Sequence, residues 1–157
     1  MTIGSAGGAA PGEAASQTAP GHRLVAYTAG VILEAWGPDR ESCLREAILG
    51  MVASFADTGG ATVQGSFPLF LGMRSDDDAL AYLLEEVIYS VEVRRLVPVN
   101  VTVEPVSHDG PCLILRVAPL DNRVRIVGAC PKAVLRQDLH IASDQSGTWC
   151  VRVTLGV

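Results

Sequence analysis

Residues 23–55, RLVAYTAGVILEAWGPDRESCLREAILGMVASF, decide the fold. The stretch opens with two short apolar segments, 24–28 and 31–36, that read as strands joined at Ala29-Gly30. Gly30, with no Cβ, is expected to supply the positive φ of a tight reversal. Gly37-Pro38 ends the second strand and starts a helix, with Pro38 at the first helical position, where a missing N–H costs nothing. Asp39 and Glu41 fall in the first turn, where the helix dipole favours negative charge. Leu44, Ala47, Ile48, Met51, Val52 and Phe55 then recur at three- and four-residue steps, an apolar stripe along one side. Gly59-Gly60 is the expected stop.

Downstream, residues 62–71 read as a strand, weakened by Gly65 and bent by Pro68. Ser75 caps a second helix with Asp76, Asp77 and Asp78 in its first turn. Its stripe is Leu80, Leu83, Leu84, Val87, Ile88 and Val91, and Arg94 and Arg95 sit at its C-terminal end. Val97, Val99, Val101 and Val103 alternate with polar residues and Pro98, a period of two. Asp109-Gly110 marks a reversal into a strand at 112–118, and further strands follow at 125–130, 135–142 and 148–155. In the last, Trp149, Val151, Val153 and Leu155 share a face opposite Cys150, Arg152 and Thr154. Runs of strands with two amphipathic helices predict an α+β domain, the helices packed on a mostly antiparallel or mixed sheet.

The 157 residues suffice for one domain with a real core. Residues 1–20 are mostly Ala, Gly, Ser, Thr and Pro, too small to offset their ordering entropy, so a disordered tail precedes a domain at 21–157. Hydrophobic residues make up 48% of the chain, yet no apolar run reaches the ~18 residues of a membrane span. No basic-then-apolar leader opens the sequence, and Cys43, Cys112, Cys130 and Cys150 form no C-x-x-C pair. These features predict reduced, mostly buried thiols in the cytosol and no zinc site. A net charge of −5 and a pI near 5.1 argue against direct nucleic-acid binding and for a protein partner.

Candidate sites are few. The triple aspartate 76–78 lacks the spaced ligands of a calcium loop and reads as helix capping. Glu85 and Glu86 flank the second helix's stripe and read as solvated side chains, with a role in gripping a partner as the alternative. His22, His108 and His140 have no paired acid at catalytic spacing and read as surface side chains. Lys132, after Pro131, suits the edge of a sheet or a binding site. No Gly-rich phosphate loop links a strand to a helix, and no nucleophile–base pair can be named.

Tyr27-Thr28-Ala29-Gly30, followed by Glu34-Ala35-Trp36-Gly37 and the helix, resembles the archease family. Glu86-Val87-Ile88-Tyr89 closing the second helix, Pro131-Lys132-Ala133-Val134 with Asp138-Leu139, and the terminal strand from Trp149 resemble further family stretches in the same order. The resemblance implies an α+β fold and a non-enzymatic role. Archeases assist the metal- and GTP-dependent RNA-splicing ligase that joins tRNA halves, promoting its guanylylation and turnover, and bind a divalent cation such as calcium. The family's cation ligands are the aspartate of its His-Thr-Ala-Asp motif and an aspartate beside the C-terminus; here these positions are Gly30 and Gly156. The motif histidine is Tyr27, and an acid of the second helix falls at about Tyr82. The carboxylate of Val157 would remain alone at a degenerate site, so the cation is expected to be lost, and restoring Gly30→Asp with Gly156→Asp is expected to recover it if the family's geometry survives here. Partner contact is expected at Tyr27, Glu85, Glu86, Lys132 and Asp138. The resulting expectation is an accessory protein for an RNA-splicing ligase. The alternative is a divergent archease-fold binding protein for a small molecule or another protein, without ligase stimulation.

Overall fold

The computed structural model describes residues 18–105 and 110–157. His108 and Asp109 lie outside the described residues, as does most of the expected tail. The elements in chain order are β1 (Gly21–Tyr27), β2 (Gly30–Gly37), α1 (Arg40–Ala53), β3 (Ala56–Asp57), β4 (Gly65–Phe70), α2 (Asp76–Tyr89), a π-helical turn (Ser90–Arg94), β5 (Leu96–Glu104), β6 (Cys112–Pro119), β7 (Arg125–Ile126), β8 (Ala133–Ser143) and β9 (Trp149–Gly156). The expected α+β class holds. The strands form not one sheet but a four-stranded sheet ordered β1-β2-β9-β8, a three-stranded sheet ordered β4-β6-β5 and a short β3-β7 ladder. All the pairings among the described residues are antiparallel.

The two central strands of the larger sheet follow their sequence alternation. Leu33, Ala35, Val151, Val153 and Leu155 are buried, whereas Cys150 and Arg152 are exposed and Glu34 is half-buried. Pro68 and Pro98 fall on β4 and β5, the edges of the three-stranded sheet, where a missing N–H costs no ladder bond. A register shift between Pro98 and Asn100 breaks the valine alternation of β5. Val97 and Val101 are buried, Val99 is half-buried, and Val103, towards the end of the strand, is exposed.

α1 carries more than one apolar stripe because it packs against two layers, β1, β2 and β9 on one side and β5 on the other. Leu44, Ala47, Ile48 and Met51 are fully buried, each large side chain contributing about 2 kcal/mol of burial. Arg45 reaches β5, its Nε donating to the Val101 carbonyl at 2.6 Å. α2 packs against β8 and α1.

Local signals differ from expectation at the ends of α1. Asp39 is the N-cap rather than a first-turn acid, accepting from the Ser42 N–H at 2.8 Å, and Ser42 completes a capping box. Pro38 thus precedes the helix. The helix stops at Ala53, well before Gly59-Gly60, because Ala56 and Asp57 leave it to pair with Ile126 and Arg125. Beyond Ile126 the expected strand 125–130 ends, and Val127 N–H bonds back to the Phe55 carbonyl at 2.9 Å.

Ser75 caps α2 as expected, accepting from the Asp78 N–H at 3.2 Å. Its three aspartates also tie elements together. Asp76 pairs with Arg40 at 2.9 Å, Asp77 accepts from the Ile141 N–H at 3.2 Å, and Asp78 pairs with Arg136 at 3.0 Å. Among the described residues no helix is long and apolar enough to cross a membrane.

Candidate functional site

The chain's two ends of interest meet at one corner of the larger sheet. Gly30 opens β2 and Gly156 closes β9, and the two are directly opposed partners. Val157 N–H approaches the Ala29 carbonyl at 3.4 Å, and Lys132 N–H donates to the Gly156 carbonyl at 2.7 Å. Tyr27, the last residue of β1, is the partner of Gly30 on the other side and is 40% exposed. Tyr27, Gly30, Lys132, Gly156 and Val157, spread over 131 positions of sequence (27 to 157), thus share one corner.

Gly30 is required there for a reason other than the expected one. Positive φ among the described glycines occurs only at Gly72, Gly110 and Gly147; at Gly30 the constraint is close approach. A Cβ at position 30 would lie 2.0 Å from the Leu155 carbonyl oxygen, which is backbone and cannot swing aside. A Cβ at Gly156 would meet only ordinary contacts, the Ala133 Cβ at 3.8 Å and the Leu135 side chain at 3.9 Å. An aspartate at position 30 is therefore incompatible with this backbone, so the geometry on which the two-substitution rescue depends is not kept at residue 30.

The donor set at the corner does not fit a hard cation. Around Gly30 and Gly156 the backbone offers carbonyls, whereas calcium and magnesium sites are built chiefly on side-chain carboxylates. Tyr82, at the approximate place of a third family acid, is an aromatic ring covered by Arg74 at 3.8 Å from its centroid. Burial raises the Tyr82 hydroxyl's pKa, with Glu86 adding to the rise and Arg74 opposing it. Among the described residues no three His, Cys, Asp or Glu side chains converge to hold a metal.

The remaining partner candidates lie on a different edge. Glu85, exposed on α2, sits 3.7 Å from Arg136 of β8. Asp138, two residues along β8, is exposed and accepts from the Thr154 hydroxyl at 3.3 Å, beside the register shift of that strand pair. Glu86, also on α2, is half-buried.

Sequence reasoning missed several groups. His22 is not a free surface histidine: its Nδ1 lies 3.0 Å from Oε1 of Glu46, a buried acid that also accepts from Arg45 at 3.0 Å. On the outer face of the sheet Glu34 binds both Arg23 and Arg152. The Arg23 hydrogen bond does most to hold the Glu34 carboxyl below its ordinary value; Arg152 adds to this, and desolvation opposes it. His140 is exposed on β8 as expected. Of the cysteines Cys43 and Cys112 are buried, Cys130 is half-buried and Cys150 is exposed. Beside Lys132 lies a cleft of about 520 Å³ that also takes in Glu92, Arg95 and Cys130.

Three comparisons bear on this arrangement. Residues 22–157 match the model of the Archease protein family (MTH1598/TM1083). Two proteins of Mycobacterium tuberculosis, strains CDC 1551 and H37Rv, each named "Probable protein archease", are 37% identical over 140 residues, covering 89% of this chain and 76% of theirs. The solution structure of Methanobacterium thermoautotrophicum protein 1598 is similar with a TM-score of 0.65 at 19% identity, over 87% of this chain and 99% of that one. The crystal structure of a Thermotoga maritima protein described as an archease and possible chaperone is similar with a TM-score of 0.60 at 15% identity, over 86% of this chain and 96% of that one.

Proposed function

The chain belongs to the archease family, and from that premise we propose that it is an accessory protein, not an enzyme, for an RNA-splicing ligase. It acts by protein contact, promoting guanylylation and repeated turnover of the ligase. The observation that carries this reading is the family match over residues 22–157. The description of the Thermotoga relative as a possible chaperone accords with a role exercised on another protein.

The contact surface is the corner where Tyr27 and Lys132 flank the opposed Gly30 and Gly156. Tyr27 offers an exposed aromatic side chain and Lys132 an exposed ammonium, residue types suited to anchoring a partner. Glu85 and Asp138 on the α2–β8 edge extend the surface with negative charge. A net charge of −5 steers the module toward a basic cleft on the ligase, which makes association fast and sensitive to salt. No divalent cation takes part at the corner, because no side-chain carboxylate stands there to replace its water. Nucleic acid is not bound directly, since a phosphate backbone needs a basic face.

Pull-down of the same organism's RNA-splicing ligase on the immobilised protein tests the reading. Retention at low ionic strength that weakens as salt rises supports it. A ligase that passes without retention at low salt contradicts it.

A further inference from the structure

A recess of about 520 Å³ lies beside the corner and shares with it only Lys132; the rest of its lining has no part in the role proposed above. Its floor is apolar, built by Phe55 after α1 and Leu120 after β6. The floor is braced by backbone bonds, Leu120 N–H to the Arg95 carbonyl at 2.9 Å and Val127 N–H to the Phe55 carbonyl at 2.9 Å. Gly128 allows the wall to close, since a Cβ there would lie 2.5 Å from the Ser54 carbonyl oxygen.

The rim brings two cations together. Arg95 and Lys132 both line it, on a protein whose net charge is −5. Among the described residues most arginines are held in ion pairs, but neither Arg95 nor Lys132 joins one. Glu92 is the acid on the same rim, so two positive charges face one negative charge, a balance that suits a single negative charge on an occupant. A phosphate dianion would overshoot that balance.

The backbone presenting Arg95 is itself unusual. α2 gives way to a π-helical turn over Ser90–Arg94, and Arg95 ends it in the left-handed region at φ 58° and ψ 39°. It is the one non-glycine residue with positive φ among those described. Single π-helical turns and left-handed non-glycine residues occur preferentially at functional sites, where the surrounding structure holds them. Here the two together place an unpaired guanidinium at the mouth of an apolar recess. Cys130 senses the same groups: burial and Glu92 raise its thiol's pKa, whereas Arg95 and Lys132 pull it down.

We propose that this cleft binds a small organic monocarboxylate with an apolar body, its carboxylate held between Arg95 and Lys132 and its body laid on Phe55 and Leu120. A guanidinium matches a carboxylate through two parallel hydrogen bonds, and an ammonium adds a point charge. The volume of about 520 Å³ is within the range of small-molecule sites. The inference does not rest on the ligase reading and stands or falls separately.

The test is an amide-resolved NMR titration of the full chain with 3-phenylpropanoate, the neutral 3-phenylpropanamide and inorganic phosphate. The acid is expected to give saturable shifts confined to residues 91–95, Leu120 and 126–132. The amide is expected to bind about tenfold more weakly or worse, as is phosphate, which lacks an apolar body. Arg95→Gly, which retains the left-handed backbone without the side chain, and Lys132→Met should each weaken the acid about tenfold while the circular dichroism spectrum and Tm hold. Absence of saturable shifts with the acid overturns the proposal. So does equal binding of acid and amide, or of acid and phosphate, or unchanged affinity in the two folded variants.

Discussion

Gly30 and Gly156 stand directly opposite one another in adjacent antiparallel strands, and only one of them has room for a side chain. The asymmetry comes from the backbone. The Leu155 carbonyl occupies the space into which a Cβ on residue 30 would project, whereas residue 156 faces the side chains of Ala133 and Leu135 at contact distance.

Gly30→Asp should therefore destabilise the protein by about 3 kcal/mol or more, and Gly156→Asp by about 1 kcal/mol or less. Urea unfolding of the two single variants measures both. Calorimetric titration with Ca²⁺, Mg²⁺ or Mn²⁺ should show no site tighter than about millimolar in the wild type. The double variant should bind no better. A micromolar site in either protein contradicts the reading of the corner.

The thiols should separate by burial. Burial, reinforced by Cys150, Glu46 and Asp39, pushes the Cys43 thiol up to about 12. Cys112 and Cys150 are raised too, chiefly by desolvation. In native protein at neutral pH, iodoacetamide should modify Cys150 first and slowly, and Cys43 and Cys112 only after unfolding. Peptide mass spectrometry over a time course reads the order.

The acid limb of stability should depend on Glu34. Its carboxyl is held below the ordinary 4.5, so the stabilisation it contributes is fully present above that value and is lost as pH falls through the lower folded value. Asp144, held below the ordinary 3.8 by the Ser146 hydroxyl and then by backbone N–H groups, acts with the same sign. Glu34→Gln should be less stable than wild type at pH 7, and the difference should shrink at pH 3. Denaturant midpoints at the two pH values check this.

Much of this architecture is legible where its causes are local. Ser75, the aspartates behind it and the stripe from Leu80 to Val91 specify α2 within a single segment, and the structure follows them. The period-two pattern of β9 likewise assigns its faces from Val151 to Val153 and at Leu155, but not at Thr154, which is buried beside the register shift and bonded to Asp138. What is not legible has distant causes. α1 ends at Ala53 because Ala56 and Asp57 find partners in β7, which lies about seventy residues away. His22 meets Glu46 only because β1 lies along α1. Arg95 carries no sequence sign of its left-handed backbone, since that conformation normally announces itself through glycine or asparagine. The corner was reachable through family resemblance and not from periodicity, because Gly30 and Gly156 bear no chemistry of their own. The absence of room at position 30 is a property of the neighbouring strand, which no reading of residue 30 contains.

The central claim is that this chain assists an RNA-splicing ligase by contact through the corner that contains Tyr27 and Lys132. The direct measurement is the rate of ligase guanylylation from radiolabelled GTP, with and without the protein, at fixed metal and ligase concentrations. The account predicts a faster rate with the wild type, and a concentration for half-maximal effect raised about tenfold by Lys132→Ala and by Tyr27→Ala in folded variants. An unchanged guanylylation rate at saturating protein would contradict it.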